Sequence, residues 1–120
     1  MEYAEHVYEE TKKIQLPDGF SQLWDVLEEA FRQAYEGKGR QRHGGNGLDF
    51  TDQPIFTIAR DHGIGFLTGQ AAKKLAESHV LKELSSEGAE NELLGAIVYT
   101  AAAIMALRNS MALRNSQDNV

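Results

Sequence analysis

Between Gly37 and Gly47 the chain reads GKGRQRHGGNG, which holds five of the protein's eleven glycines together with Lys38, Arg40, Arg42 and His43, and no acid. Anion recognition needs several hydrogen-bond donors converging on one point, and glycine lets backbone N–H groups approach without a Cβ in the way. Lysine and arginine add charge-assisted bonds worth about 1.5 to 3 kcal/mol each before ordering costs. This combination suits a phosphate-bearing ligand. Tyr35, just before the stretch, could stack on a nucleobase whose phosphate the stretch holds. Arg60, Lys73 and Lys74 offer further positive charge. The candidate ligand-binding set is therefore Lys38, Arg40, Arg42, His43, Tyr35 and Arg60. The same composition also fits a solvated connector on an acidic protein.

Catalytic constellations are harder to assemble. GxxxxGK[ST] is absent and the glycines follow no predicted strand, so neither a P-loop nor a dinucleotide fingerprint is present. His43, His62, Asp49, Asp52 and Asp61 supply metal-ligating or acid–base types, but their spacing matches no metal motif. Asp61–His62 reverses the HD order of metal phosphohydrolases. With no cysteine, thiol chemistry, thiolate metal sites and disulfides are excluded. No catalytic residue, metal site or cofactor is expected.

The 120 residues fit one domain with one core. Eighteen acids against twelve Lys and Arg give a net charge of -6, which argues against a surface that coats duplex DNA or an anionic membrane. An anion site on such a protein must be local. The N-terminal MEYAEHVYEETKK lacks the basic and apolar regions of a secretory signal, so a cytoplasmic location is expected. Leu93 to Leu107 is a run of fifteen uncharged residues, short of the roughly 18 to 20 that span a bilayer, and is expected to be a buried helix rather than a membrane span.

Periodicity predicts an all-α fold, a small bundle of about four helices with a long glycine-rich loop over 37–53 between the second and third. Tyr3, Ala4, Val7, Tyr8 and Ile14 recur at helical spacing over 1–16, ended by Pro17–Gly19. Phe20, Leu23, Trp24, Leu27, Phe31, Ala34 and Tyr35 form one apolar stripe on a second helix. Thr51 or Asp52 is the candidate N-cap of a third, which starts near Pro54 and breaks at Gly63 to Gly65. Gly65, Gly69, Ala71 and Ala72 would let a neighbouring helix pack closely. Ser85 and Ser86 offer a cap for the fourth helix, with Glu87 and Glu90 at its start. Its body, LLGAIVYTAAAIMAL, is apolar on nearly every side, which suits a central helix or one buried between subunits and predicts a homo-oligomer. The tandem MALRNS copies at 105–110 and 111–116 cannot form one stripe, and fraying is expected over 109–120.

Two resemblances bear on function. GFLTGQAAKKLAES and ENELLGAIVYTAAA resemble two helices of the MazG-like all-α nucleotide pyrophosphohydrolases, which implies magnesium held by EExxE and ExxD acids. Here Gly69 and Gln70 stand where the paired acids belong, Lys73 replaces the third and Ala96 the aspartate, so only Glu92 matches. LLGAIVYTAAAIMAL is also similar to the alanine-rich helix of the phage helical-hairpin proteins that sequester cyclic nucleotide signals. That likeness implies binding without turnover. The expected partner is a nucleotide or related phosphate-bearing small molecule; a metal-dependent hydrolase and a helical protein-interaction module are the alternatives.

Overall fold

The computed structural model describes residues 15–36 and 49–118, with side chains described through residue 110. Four helices are found there and no strand: α1 (Ser21–Glu36), α2 (Pro54–His62), α3 (Gly65–Leu81) and α4 (Ser86–Asp118), with a short 3-10 turn at Phe50–Asp52. The all-α bundle follows the sequence, but the four helices are not the four expected. Residues 1–14 of the helix expected over 1–16 and the stretch from Gly37 to Gly47 lie outside the described residues, Gln15 and Leu16 are not helical, and the expected third helix is two.

The division comes at Gly63, whose φ of +94° is a conformation that side chains with a Cβ resist. Its N–H closes α2 on the Ala59 carbonyl at 2.7 Å, and α3 then leaves in a new direction. Gly19 serves the turn before α1 in the same way, at φ +84°. The cap of α2 differs from expectation. Thr51 and Asp52 belong to the 3-10 turn, and Gln53 is the N-cap residue, extended at φ -74° and ψ 155° without a side-chain cap. Pro54 explains this, because proline at the first helical position forces the residue before it out of the helical region. Ser85 caps α4 as expected: its hydroxyl accepts the Gly88 N–H at 3.0 Å.

Helices α3 and α4 form a hairpin around which the rest is arranged. Ala89, Ala96 and Ala103, seven residues apart, are buried on α4 together with Ala102. On α3 the facing positions are Leu67, Ala71 and Ser78, all buried, with Lys74 between them. Ser78 is satisfied at depth because its hydroxyl donates to the Leu75 carbonyl at 2.6 Å. Small side chains on one helix let the other approach, so this contact is dense without large residues. The break at Gly63 folds α2 back so that Ile55 and Ala59 join Leu67, Ala102 and Ala103 in the core, with Phe50 and Phe56 edge-to-face beside them at 5.2 Å.

Two expectations are corrected here. A Cβ on Gly65 or Gly69 would meet nothing within 4 Å, so those glycines do not mediate helix packing; Ala71 and the α4 alanines do. Helix α4 runs through both MALRNS copies to Asp118, consistent with the strong helix propensity of Met, Ala, Leu and Arg. Finally, α4 is central yet not wholly buried. An 18-residue window within Ser86–Ser110 has mean hydropathy 1.4 and is only 22% buried, so by length and composition alone this helix could cross a membrane. The apolar stripe of α1 is likewise largely uncovered: Phe20, Leu23, Leu27 and Phe31 are between 42% and 56% exposed, and Ala30 is the residue α1 buries.

Leu67, fully buried, is the test of this core. Leu67→Ala is expected to lower unfolding free energy by about 2 to 5 kcal/mol in denaturant titration. The same change at Leu84, 79% exposed, is expected to stay within about 0.5 kcal/mol.

Candidate functional site

A concavity sits where α1 and α3 meet α4, and Gly95 lines it. A Cβ added to Gly95 would come within 2.6 Å of Lys74 Cδ and 3.4 Å of Gln33 Oε1. One side chain from α3 and one from α1 therefore converge on the only kind of residue that leaves room for both. Gln33 Nε2 donates to the Asn91 carbonyl at 3.0 Å, which ties α1 to α4. Lys74 Nζ donates to Glu92 Oε2 at 3.4 Å and lies 5.9 Å from the centre of the Tyr99 ring.

These residues line a cavity of about 390 Å³, within the roughly 300 to 1,000 Å³ of small-molecule sites. Its wall mixes amide groups from Gln33, Gln53 and Asn91, the Lys74–Glu92 pair, the Tyr99 ring and apolar surface from Ala34, Phe50, Ile55 and Val98. Gln53 is a polar residue only 8% exposed. The Lys74 and Glu92 side chains are 22% and 24% exposed, so both charges are largely withdrawn from solvent and neutralise each other. The pair therefore leaves this wall without net charge, and it offers shape and hydrogen-bonding groups rather than strong anion attraction.

Two residues that flank the basic stretch in sequence, Ala34 in the last turn of α1 and Phe50 in the 3-10 turn, both line this cavity. Lys38, Arg40, Arg42 and His43 themselves lie outside the described residues. Tyr35 is half-buried and stacks on Phe31, with ring centres 6.4 Å apart and planes 2° from parallel. Arg60 is exposed in the last turn of α2 and does not line the cavity. Of the two helper lysines, Lys73 points to solvent and pairs with Glu77 at 3.9 Å, while Lys74 enters the site.

Among the described residues no group of three His, Asp or Glu side chains is placed to hold a metal ion. Asp49, Asp52, Asp61 and His62 are all exposed. Glu92, the acid that matched the pyrophosphohydrolase pattern, is engaged by Lys74. Gln33, Asn91 and Gly95 escaped notice in the sequence. A signal for Gly95 was present, since a glycine inside an alanine-rich helix forfeits about 1 kcal/mol relative to alanine and often marks a close approach. Compared with known proteins, the chain matches no family model, no curated protein and no solved structure.

The geometry makes a specific prediction. Gly95→Ala should push the lysine stem aside, because Lys74 is the more movable partner of the 2.6 Å contact. A double-mutant cycle with Lys74→Met and Glu92→Gln is expected to give a coupling of about 0.5 kcal/mol in the parent protein. In the Gly95→Ala background the coupling should vanish; an unchanged value would contradict the placement.

Proposed function

We propose that this protein binds a nucleotide or related phosphate-bearing small molecule in the cavity around Gly95 and does not turn it over. The observation that carries the reading is that Ala34 and Phe50, which flank a basic, acid-free, glycine-rich stretch in the sequence, line a cavity furnished with amide groups. In this arrangement Gln33, Gln53 and Asn91 offer donors and acceptors to the edge of a planar group, and Lys74 supplies a cation at the wall. Lys38, Arg40 and Arg42 complete the phosphate end, with His43 and Tyr35 as further candidates.

Binding without catalysis accords with the acids that are present. Hydrolysis of a phosphoanhydride by the MazG-like route calls for magnesium on several carboxylates, because a hard cation needs oxygen ligands. The one acid in the cavity wall, Glu92, is held by Lys74. The concrete form of the proposal is a sequestering protein, as the likeness to the phage sponges suggests.

A thermal-shift screen of linear and cyclic nucleotides tests the reading. A ligand at 100 times its dissociation constant should stabilise the fold by about 2.7 kcal/mol. The pair Arg40→Ala with Arg42→Ala should weaken a hit by roughly 10- to 100-fold, the worth of one or two charge-assisted bonds, whereas Lys74→Met, whose charge Glu92 already neutralises, should weaken it by less. Absence of any shift would remove the proposal, and magnesium-dependent product formation would replace it with the hydrolase.

A further inference from the structure

The exposed side of α4 carries a regular pattern. Leu93, Ile97, Thr100, Ile104 and Leu107 follow one another at alternating steps of four and three residues, the spacing of a coiled-coil seam. Leu93 is 44% exposed, Ile104 45% and Leu107 51%, Thr100 is exposed and Ile97 half-buried. None of these five lines the Gly95 cavity. Read as a heptad, isoleucine takes the a positions and leucine two of the three d positions, an apolar seam of the kind that packs knobs into holes. Thr100 at the remaining d position brings no unsatisfied group, because its hydroxyl donates to the Ala96 carbonyl at 2.8 Å.

Charge decides the occupant and its direction. From Leu93 to Leu107 the helix holds no charged residue, so the seam opposes nothing by like-charge repulsion although the protein is acidic overall. Acids cluster at the start of α4, at Glu87, Glu90 and Glu92, and Arg108 follows the seam at its far end. A parallel pair would set the acidic starts side by side, with like dipole ends together. An antiparallel pair opposes them. With Leu93 opposite the partner's Ile104 and Ile97 opposite the partner's Thr100, Glu87 falls within a turn of the partner's Arg108. Both residues occupy the same flanking heptad position, and both are exposed. Neither forms an ion pair within the described residues.

We infer that a second copy of this chain covers the exposed face of α4, the two helices packing antiparallel along Leu93, Ile97, Thr100, Ile104 and Leu107 with Glu87 of each facing Arg108 of the other. The contact is isologous and closes as a two-fold dimer. Two heptads bury less than the roughly 800 Å² per partner of a standard interface, so the dimer exchanges with monomer in the micromolar range. The cavities of both copies remain open, since the seam and the cavity use different sides of the helix.

Sedimentation equilibrium between about 1 and 500 µM tests this against a micromolar dissociation constant. The full chain is expected to pass from monomer to dimer. Ile104→Glu should remain monomeric throughout while keeping the parent's helical circular dichroism, and Thr100→Ile should tighten the dimer at least tenfold. Glu87→Arg should weaken it severalfold, and Glu87→Arg combined with Arg108→Glu should restore it. A monomer at every concentration overturns the proposal, as does a dimer that Ile104→Glu and Thr100→Ile leave unchanged. A charge swap that fails to restore association overturns the antiparallel arrangement. Co-flotation of the chain with phosphatidylcholine vesicles, lost in Ile104→Glu and without dimer in solution, would assign the face to a lipid surface instead.

Discussion

Ala89, Ala96 and Ala103 recur every seven residues along α4, and the fold depends on how closely they let α3 approach. A row of alanines contributes little apolar area per residue, so stability has to come from dense contact and from the larger residues that such contact traps, Leu67 foremost. Helix α4 pays no penalty for this in backbone preference, since alanine is the best helix former. The result is a helix whose inner face is specified by smallness and whose outer face is left to leucine and isoleucine.

The cavity follows from the same constraint. At Gly95 the small-residue surface reaches its limit, and the space is taken by the lysine stem from α3 and the amide of Gln33 from α1. Lys74 lies on the same helical face as Leu67, Ala71 and Ser78, where an apolar residue would ordinarily sit. Its ammonium is accommodated because Glu92, one turn before Gly95, receives it and the Tyr99 ring lies alongside. A polar cluster thus replaces core at the one place where three helices converge. Ala34 and Phe50, which flank the basic stretch in sequence, line the same cavity as that cluster.

Much of this was legible in the residues, and the failures have physical causes. The helices after residue 20, the break at Gly63 and the Ser85 cap were readable because periodicity, glycine and hydroxyl caps act locally. The N-cap at Gln53 was misplaced because the restriction that proline imposes on its predecessor outweighs the capping preference of Asp52. Of Gly65, Gly69, Ala71 and Ala72, read together as a packing surface, Ala71 alone is buried, and the close approach occurs at Gly95, since glycine marks close approach only when a neighbour arrives, and arrival is a tertiary fact. The same holds for Lys73 and Lys74, adjacent in sequence and indistinguishable there, of which one faces solvent and the other enters the cavity. The stripe on α1 was read correctly as apolar, but how little of it is covered depends on where that helix crosses α4. Gln33 and Asn91 gave no signal at all, because an amide becomes part of a site only through what surrounds it.

The claim that the α3–α4 contact organises the molecule is open to direct measurement by native-state hydrogen exchange. Amides of α4 over residues 89–103 and of α3 over residues 67–78 should be the slowest in the protein, exchanging only through global unfolding, with opening free energies equal to the total stability. Amides of α1, which buries little besides Ala30, should exchange through smaller openings that leave the hairpin intact. Slowest exchange in α1, or opening of α4 while α1 stays protected, would contradict the account.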